Sequence, residues 1–524
     1  NFEGYGVVYN SYYDSESTGQ SDAGKGEQKT TAEMQLRSTY EGWDFLQVWS
    51  IKEEEDYPML RWQAGAPQSG FEVEAERGWA LPEVEFNLNI TNAKGEDGVL
   101  TGSKEVRVYS DVEEEYVFDS EVDFTYGEAT VRVALNNEGR HNLRVYVDGI
   151  SYSNLVTVEV VTQTFAGGTG KEGDPFLIET AEQLNMVRYF PKAYFELNSD
   201  IDLGSWTVAG DSYNDGKGWE PIGSALEPFQ CHFDGNGFTI NNLMISRPEE
   251  DYVGLFGKIE NSVLRNIKLE NVSVSGQMYV GGLVGYMEGG TIESCRIISG
   301  NVYGNLTVGG IVGNNNTGEI TSSSAKVDVI ASKGPYLYSM IAGGLVGNNR
   351  GGVISDCHAD GYVSGDWDVG GLVGVNTNNS IIEATLYGKI INSSAKGEVA
   401  GTYYNIGGLV GRNTGGIIED SHAESSVKGT NEVGGLVGNN KDGKITGSHA
   451  TGNVDGENNV GGLVGISNNG NISNCYAIGE VRGLKESSNI GGLVGKSVVS
   501  TISDSYASGN VSGDINVGGL VGCV

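Results

Sequence analysis

The sequence contains little proline, cysteine or positive charge, and each shortage excludes a class of protein. Only 9 of its 524 residues are proline, although 81 are glycine. A collagen triple helix needs abundant proline and a glycine at every third position, so collagen is excluded. Five widely spaced cysteines without a C-x-x-C pair exclude a small disulfide-rich module. The formal net charge of −36 removes any electrostatic attraction to nucleic acid, so we expect no nucleic-acid partner.

Long apolar runs are also missing. No stretch of about 18 consecutive apolar residues is present, so the sequence predicts no membrane segment in this stretch. The first residues, NFEGYGVVYN, read as the interior of a longer chain, so a missing signal peptide carries no information on the parent protein. The length favours several domains or a repeat array over one compact core.

A short glycine-rich phrase, typified by VGGLVG at 433–438, returns along the second half of the chain. Its leucine, or once an isoleucine, marks the origin of each repeat. The origins are Leu255, Leu283, Ile311, Leu345, Leu372, Leu409, Leu436, Leu463, Leu493 and Leu520. The commonest interval is 27 residues, and longer intervals contain insertions such as SKGPYLYSM and EATLYGKII. A fixed period of this length is typical of stacked repeats.

Each repeat contains three apolar phrases, which are GGLVG, I-x-x-C-x-A and G-x-V-x-G in residues 459–483. Alternation at period two predicts a strand with one buried face in each phrase, and Gly, Asn and Ser mark the turns. The sequence therefore predicts an all-β chain containing a parallel β-solenoid with three short strands per coil of about 27 residues. Successive coils would stack about 4.8 Å apart.

Polar residues recur at fixed positions of the coil. An asparagine follows several origins by four residues, and its amide could form a ladder along the axis, or a polar ligand row. The five members are Asn315, Asn349, Asn376, Asn413 and Asn440. Cys295, Cys357 and Cys475 occupy an inward slot that holds Ser in other coils, which predicts packed thiols without metal ligation or disulfides.

An aromatic column is predicted on the outer surface. His422, His449, Tyr476 and Tyr506 directly follow the small-residue slot, one per coil, and alternation turns them outward. Stacked imidazoles could hold a transition metal. A plain surface ladder is the preferred interpretation, because no carboxylate or thiol recurs beside them at ligand spacing.

Residues 164–250 read as the N-terminal cap and first strands of the solenoid. Thr180 is a candidate N-cap for a short amphipathic helix near residues 181–189, which can cover the end of the stack. The segment DSYNDGKGWE partly resembles a calcium loop, with Asp211, Asp215 and Glu220 as candidate ligands. Because the bidentate Glu expected at position twelve is absent, an ordinary acidic turn is preferred, and we expect no other cofactor.

Two regions precede this cap. Residues 67–163 contain alternating strands about ten residues apart, which predicts an immunoglobulin-like β-sandwich spacer without an inter-sheet disulfide. Residues 1–66 contain strand phrases and KTTAEMQLRSTY, a capped short helix. A few short capping helices are therefore expected in an otherwise all-β chain.

The phrase GGLVG, together with DIDL, WEPIG, FDGNG and VGLFG, resembles the GLUG-motif repeat of bacterial and archaeal surface proteins, over residues 164–524. The resemblance implies an extracellular, adhesin-like protein of the cell surface or of a surface filament, with residues 251–524 as its repeat coils. Some proteins with this repeat are surface peptidases, but no HExxH motif is present here, so that association does not transfer.

Residues 12–62 resemble the segment that normally closes such a solenoid, yet here that segment comes first. When the end of the sequence is written before its start, Val8-x-x-Ser11-x-Tyr13 supplies the second phrase of one more coil. We therefore expect residues 1–66 to be the final coil and C-terminal cap of a preceding solenoid, and the chain to be one period of a head-to-tail array cut in mid-coil. The predicted junction consists of Leu520, Val521, Val524, Asn1, Val8 and Ser11. An arbitrary fragment of a giant protein with dissimilar repeats is the alternative.

Three functions remain open at this point. The first is a non-catalytic structural unit of a surface fibre or stalk, whose partners are neighbouring units. The second is a glycan-binding adhesin module whose insertion-loop residues Tyr336, Tyr338 and Tyr387 stack on sugars, although these aromatics could equally be packing caps. The third is a solenoid polysaccharide hydrolase or lyase. The coils carry few basic residues and the sequence has no GxSxG, P-loop or HExxH motif, so we expect no enzymatic activity.

Overall fold

The computed structural model describes residues 11–18, 27–36, 39–40, 49–50, 57–60, 70–75, 79–80, 82, 85–95, 98–147, 150, 155–160, 165–204, 216–332, 340–381 and 384–524. The chain divides into two compact units, Asn1–Thr162 and Gln163–Val524. Strands dominate both units. In the described residues the α-helices are short, at Ser15–Thr18, Thr31–Met34 and Ala181–Met186, with a 3₁₀ turn at Val187–Tyr189. The all-β prediction with few short helices is confirmed.

The second unit is a parallel β-solenoid of about ten turns, with three sheets running along its axis. The ten-stranded motif sheet contains the strand that follows each glycine pair. Its strands are Phe256–Glu260, Val284–Glu288, Val312–Asn316, Val346–Arg350, Val373–Thr377, Val410–Thr414, Val437–Lys441, Val464–Asn468, Val494–Val498 and Val521–Cys523. Neighbouring strands pair in parallel with like residues opposite each other, for example Val437 with Val464.

The twelve-stranded isoleucine sheet contains the second phrase of each coil. Its strands are Phe176–Ile178, Tyr194–Leu197, His232–Asp234, Val263–Arg265, Thr291–Glu293, Glu319–Thr321, Val353–Ser355, Lys389–Ile391, Ile417–Glu419, Lys444–Thr446, Asn471–Ser473 and Thr501–Ser503. Ile445 pairs with Ile472 in this sheet, and both side chains are fully buried. The alternation that predicted one buried face is therefore observed.

The remaining strands form one 26-stranded wrapping sheet, which gives most coils two or three strands on this side. Its strands are Ile201–Asp202, Thr239–Asn241, Met244–Ser246, Lys268–Glu270, Val272–Ser275, Val280–Gly281, Arg296–Ile297, Gly300–Gly304, Thr307–Gly309, Ser324–Ala325, Asp328–Ala331, Ile341–Gly343, His358–Gly365, Val369–Gly370, Ser394–Gly401, Tyr404–Gly407, His422–Ala423, Ser426–Lys428, Asn431–Gly434, His449–Ala450, Val454–Gly461, Tyr476–Ala477, Val481–Gly491, Tyr506–Ala507, Val511–Ser512 and Ile515–Gly518. A separate hairpin, Asn379–Ile381 with Ala384–Leu386, lies in the second insertion.

The glycine-rich phrase packs the narrow core. The first nine origin residues are at most 1% exposed. Each full burial of such a side chain contributes about 1.5–3 kcal/mol. The backbones stack in register, so that the Leu436 amide donates to the Leu463 carbonyl at 2.8 Å. Tight corners between strands use left-handed Asn residues such as Asn469 (φ 52°) and Asn474 (φ 54°), because Asn tolerates this conformation.

The predicted asparagine ladder is present and buried. The Nδ2 of each of the first four members donates to the Oδ1 of the next member along the axis, with N–O distances of 2.8–2.9 Å. The Nδ2 of Asn413 also donates to the Gly416 carbonyl at 3.0 Å. Because every member is less than 1% exposed, the ladder is a structural element of the core and offers no row of ligand-binding groups at the surface.

The inward slot of the isoleucine-sheet corner holds Ser or Cys, as predicted. The slot hydroxyl accepts the amide proton of the preceding coil, for example Ser448 Oγ from Ser421 N at 3.2 Å. All five cysteines are free, and four of them are buried. Burial raises the pKa of Cys295 and Cys357 to about 12.

Thiol reactivity tests this burial. At pH 8 we expect an aromatic disulfide reagent to label one thiol of the folded chain, the half-exposed Cys523, and all five after denaturation. The buried thiols remain protonated and inaccessible, and only a thiolate attacks the reagent. Rapid labelling of Cys295 or Cys357 in the folded chain would contradict the packed-slot assignment. Peptide mapping identifies the labelled residue.

The solenoid begins with a helix and an aromatic core. The Thr180 hydroxyl accepts the Gln183 amide proton at 3.3 Å and caps the predicted helix Ala181–Met186. The described core residues of the first coils are larger than those of later coils. Phe165, Phe176, Phe190 and Phe195 form one ring cluster with centroids 4.4–5.9 Å apart.

The first unit contains two sheets that enclose one hydrophobic core. The five-stranded sheet has the order Glu115–Phe124, Gly102–Ser110, Gly139–Val147, Val156–Val160, Trp79–Ala80. The four-stranded sheet contains Ala129–Val133, Phe86–Gly95, Gly70–Ala75 and Gly98–Val99. Pairing is antiparallel except between Trp79–Ala80 and Val156–Val160. The predicted immunoglobulin-like identity of this layered region stays a prediction.

Short elements precede these sheets. Tyr12–Asp14 pairs in parallel with Glu27–Lys29, and Trp49–Ser50 pairs with Met59–Leu60 in antiparallel fashion. Thr30 caps the helix Thr31–Met34 through a capping box with Glu33, which confirms the capped helix expected in KTTAEMQLRSTY. The assignment of residues 1–66 to a preceding solenoid stays a prediction.

Candidate functional site

The last coil differs from all earlier coils in its exposure. Leu520 is 43% exposed, although it occupies the same motif position as the nine buried origins. Ile515, Val517 and Val524 are exposed beside it. The strand Val521–Cys523 pairs with Val494–Val498 on one side. This surface, residues 515–524, is called the end face below.

The backbone hydrogen bonds between coils run in one direction along the axis. In each coil the motif amides donate to the carbonyl of the following origin, and the amides of Leu493 and Val494 both donate to the Leu520 carbonyl, at 2.9 and 3.0 Å. By this pattern the amides of Leu520 and Val521 are the groups that would donate to a further coil.

Two glycines at matching positions of the repeated phrase show the same difference. A Cβ on Gly435 would lie 2.1 Å from the Gly462 carbonyl oxygen in the next coil. A Cβ on Gly519, at the matching position, would have no heavy atom within 4 Å. The two glycines therefore distinguish a closed coil interface from the open end face.

Only some of the predicted junction residues lie in the described part of the chain. Leu520, Val521 and Val524 lie on the end face. Asn1 and Val8 lie outside the described residues. Ser11 is described in the first unit, where its carbonyl accepts the Glu27 amide proton at 2.8 Å. The joining of these two sets of residues therefore stays a prediction.

The outward column forms as predicted. The rings of His422, His449, Tyr476 and Tyr506 stack one above another, with centroids 4.6–5.3 Å apart and interplanar angles of 2–8°. Among the described residues, no group of three His, Cys, Asp or Glu side chains could hold a metal ion. The four rings form a stacked ladder on the outer surface.

The ring column makes the stability of the folded chain depend on pH. Burial, followed by the neighbouring His422, lowers the pKa of His449 below its usual 6.5. The unfolded state then takes up a proton more readily, so stability falls as the pH drops below about 6.5. We expect His449→Tyr, which copies Tyr476 of the next coil, to reduce this loss. Denaturant midpoints of both proteins between pH 7.5 and about 5 measure this loss of stability. If the midpoint of the variant falls with pH as steeply as that of the unchanged chain, His449 is not the cause.

The calcium candidates are mostly outside the described residues. Asp211 and Asp215 fall in that undescribed part, whereas Glu220 pairs with Arg188 at 3.3 Å, and the Glu220 carbonyl accepts a second guanidinium proton at 2.9 Å. Glu220 is therefore engaged by an arginine in this structure. Calcium binding by this segment stays a prediction.

Only one of the three insertion-loop candidates lies in the described residues. Tyr336 and Tyr338 lie outside the described residues. Tyr387 directly follows the hairpin Asn379–Ile381 with Ala384–Leu386, and its side chain is 47% exposed. An exposed ring on a hairpin is available for contact with a ligand, but no described aromatic ring stacks against it.

Sequence reasoning missed two features near the strands Val369–Gly370 and Tyr404–Gly407. Arg412 makes a two-point ion pair with the buried carboxylate of Asp368, at 2.9 and 3.0 Å. Trp367 stacks on Tyr404 with ring centroids 5.1 Å apart. Each of these two aromatic residues precedes its origin leucine by five positions, so aligning the repeats would have brought them together.

Comparison with known proteins identifies the repeat. Six consecutive copies of the GLUG motif occupy residues 338–364, 365–400, 402–428, 429–455, 456–482 and 486–512. These residues form successive turns of the solenoid. The repeat resemblance drawn from the sequence is therefore confirmed for residues 338–512.

Two similar proteins each match part of the chain. A protein described as a Gly-rich membrane protein in Evansella cellulosilytica is 42% identical over 120 residues, which are 22% of this chain and 13% of that protein. A protein named Halomucin in Haloquadratum walsbyi is 30% identical over 310 residues, which are 52% of this chain and 3% of that protein. The chain thus spans a small fraction of either relative.

One solved structure, described as IgA1 Protease, aligns with 80% of this chain and 29% of its own chain, at 12% identity and a TM-score of 0.27. A likeness this low supports no statement about activity. None of the described helices is both long and apolar enough to cross a membrane.

Proposed function

We propose that the chain is a non-catalytic structural unit of an extracellular surface fibre or stalk. The regular stack of GLUG coils carries this proposal, because successive coils pair along one axis in a shared register. The GLUG repeats and the membrane-protein description of one relative support a surface location. The net charge of −36 keeps such a rod soluble and repels neighbouring rods side to side.

The physical properties of the solenoid suit a load-bearing rod. Each coil pairs mainly with its two neighbours, so stability is close to a sum of repeated coil interfaces. Parallel backbone bonds, buried origin residues and the asparagine ladder all run along one axis. A pull along this axis is shared by many equivalent contacts, and no interface depends on one special residue.

We infer a head-to-tail arrangement of such units from the match between Val8-x-x-Ser11-x-Tyr13 and the second phrase of a coil. In this proposal residues 1–66 of one unit complete the solenoid of the preceding unit, and Ser11 takes the slot that Ser505 fills one coil earlier. Ser505 Oγ accepts the Cys475 amide proton at 3.0 Å. The hydroxyl of Ser11 would accept the Ser505 amide proton in the same way.

Tryptic mass spectrometry of the native material tests covalent continuity. No Lys or Arg follows Lys496 before the end of the sequence, and the first basic residue is Lys25. A single peptide from Ser497 through Val524 and Asn1 to Lys25 is expected for a tandem array. A different residue after Val524 would contradict the one-period proposal, and a natural terminus at Val524 would leave docking of separate chains as the only route to a fibre.

A further inference from the structure

A groove runs along the outer surface of the wrapping sheet, with a volume of about 700 Å³. Its floor includes one column of paired residues from successive coils, Ile330, Ser364, Ala400 and Lys428. Lining residues continue to Leu484 two coils farther on. Six coils therefore border the groove, which gives it a length of roughly 24 Å along the axis at about 4.8 Å per coil.

An aromatic cluster flanks the middle of the groove. Trp367 and Tyr403 directly follow the lining residues Asp366 and Thr402. The ring of Trp367 lies 5.8 Å from Tyr403 and 5.1 Å from Tyr404, and both tyrosines are about 40% exposed. The cluster lies beside the lining residues Asp366 and Thr402, and its partly exposed tyrosines offer apolar ring surface together with hydroxyl groups.

Local hydrogen bonds hold the cluster in place. The Tyr403 amide donates to the Asp366 carbonyl at 2.8 Å, and Asn431 Nδ2 donates to the Tyr403 carbonyl at 3.1 Å. The buried Asp368 next to Trp367 accepts from Asn405 and Arg412. The rings are therefore preorganised, which lowers the entropic cost of binding a ligand against them.

The groove has the chemistry for an extended ligand rich in hydroxyl groups. Its floor carries small side chains at Ser364 and Ala400. The carboxylates of Asp366, Glu398 and Glu457 are acceptors for hydroxyl protons, and Lys428 is a donor. Three carboxylates against one ammonium group disfavour a polyanion, as does the net charge of the chain.

We propose that this groove binds an extended, uncharged polysaccharide strand lying along the solenoid axis, with sugar faces stacked on Trp367, Tyr403 and Tyr404. The site is independent of the fibre role, because it lies on the outer wall of the coils and away from the end face. A rod with such a site would hold a polysaccharide along its side.

A peptide strand fits the groove less well. Peptide capture by strand addition requires a free sheet edge. The groove floor is instead the face of a sheet whose strands pair with coils on both sides, as Ser394–Gly401 pairs with His358–Gly365 and with Ser426–Lys428. Only side chains are available there, and a basic peptide would be held by the three carboxylates alone.

Binding measurements on the full chain test the proposal. A glycan array containing neutral and acidic oligosaccharides is probed first, and calorimetry then follows the tightest neutral oligosaccharide. We expect binding that persists in about 0.5 M NaCl, because stacking is screened little by salt. Trp367→Ala and Tyr404→Ala should each weaken it about tenfold or more. Ser364→Trp, which fills the floor, should abolish it without removing a ring of the cluster.

The matched control is Tyr387→Ala, an exposed tyrosine of the insertion hairpin. It should leave the affinity unchanged, and circular dichroism checks that all variants keep their strand content. Absence of any neutral glycan binding would overturn the proposal. So would binding that Tyr387→Ala abolishes, since that result would locate the sugar at the insertion loop. Salt-sensitive binding of polylysine in the groove, without sugar binding, would identify a cationic peptide as the ligand.

Discussion

Replacing Gly435 with alanine is expected to lower the free energy of unfolding by about 4 kcal/mol or more. The new Cβ would lie 2.1 Å from the Gly462 carbonyl oxygen and 3.0 Å from the Ala450 Cβ. Because the oxygen belongs to the backbone of the next coil, the clash is relieved only when the two coils separate. Such separation also breaks the hydrogen bond between Leu436 and Leu463.

Urea denaturation and hydrogen exchange measure this effect. In a solenoid each coil contacts only its neighbours, so the damage should be local. Amides in residues 431–468 should lose protection, whereas coils several repeats away should keep theirs. A uniform loss of protection along the whole solenoid would contradict nearest-neighbour stacking.

Gly519→Ala is the matched control. Gly519 occupies the same position of the repeated phrase, but nothing lies within 4 Å of its added Cβ. We expect its effect on the 524-residue chain to stay within about 0.5 kcal/mol. Equal destabilisation by the two substitutions would show that alanine is poorly tolerated by the local backbone and that coil contact is not the cause.

Asn413→Ala is expected to cost about 3–5 kcal/mol, since it interrupts the buried ladder. The Asn413 side chain accepts from Asn376 at 2.9 Å and donates to Asn440 at 2.8 Å and to Gly416 at 3.0 Å. Its loss leaves polar groups without partners in a dry core, and each such group costs about 1–3 kcal/mol. Denaturant titration of the variant provides the measurement.

Asn468→Ala controls for the loss of any asparagine from the motif sheet. Asn468 lies in the strand Val464–Asn468 but is exposed, so its side chain is solvated in both states. Its substitution should change stability by less than about 0.5 kcal/mol. A similarly small cost at Asn413 would mean that water or a neighbouring group replaces the amide, which the tight stack described here does not provide.

The repeated parts of this fold were predictable because each position of the coil recurs in many repeats. One isolated VGGLVG phrase is uninformative, but ten origins at a common interval specify strand register, the core leucine and the slot that alternates between Ser and Cys. The asparagine ladder followed from the same argument, since a polar residue at one level of a stack can only meet its own equivalents.

The groove was not predictable by this route. Its aromatic cluster occurs in two adjacent coils, so the repeat signal is limited to the shared position of Trp367 and Tyr404, five residues before their origins. The groove shape depends on how the wrapping sheet bends at these positions, which sequence periodicity does not determine. The candidate residues in insertions, such as Tyr387, were found as exposed aromatics, but their partners depend on loop conformation.

The extent of the wrapping sheet was also underestimated. Three strands per coil were expected, whereas the third phrase and the approach to the next origin both pair along the axis, as in Val481–Gly491. A strand of this length passes a corner of the coil and keeps its backbone hydrogen bonds to the neighbouring coils. Period-two alternation identifies the buried positions of such a segment, but it does not show where one strand ends and another begins.

We propose that residues 1–66 of a following unit complete the end face, and the fibre model depends on this step. It is tested most directly by joining two copies of the chain through Val524 and Asn1 and placing Gly519→Ala in either the first or the second copy. Our account predicts a loss of about 4 kcal/mol, with local loss of hydrogen-exchange protection, when the substitution lies in the first copy. In the second copy it should be silent. If Gly519→Ala is silent in both copies, the end face stays open at the join and the proposed continuation of the solenoid is wrong.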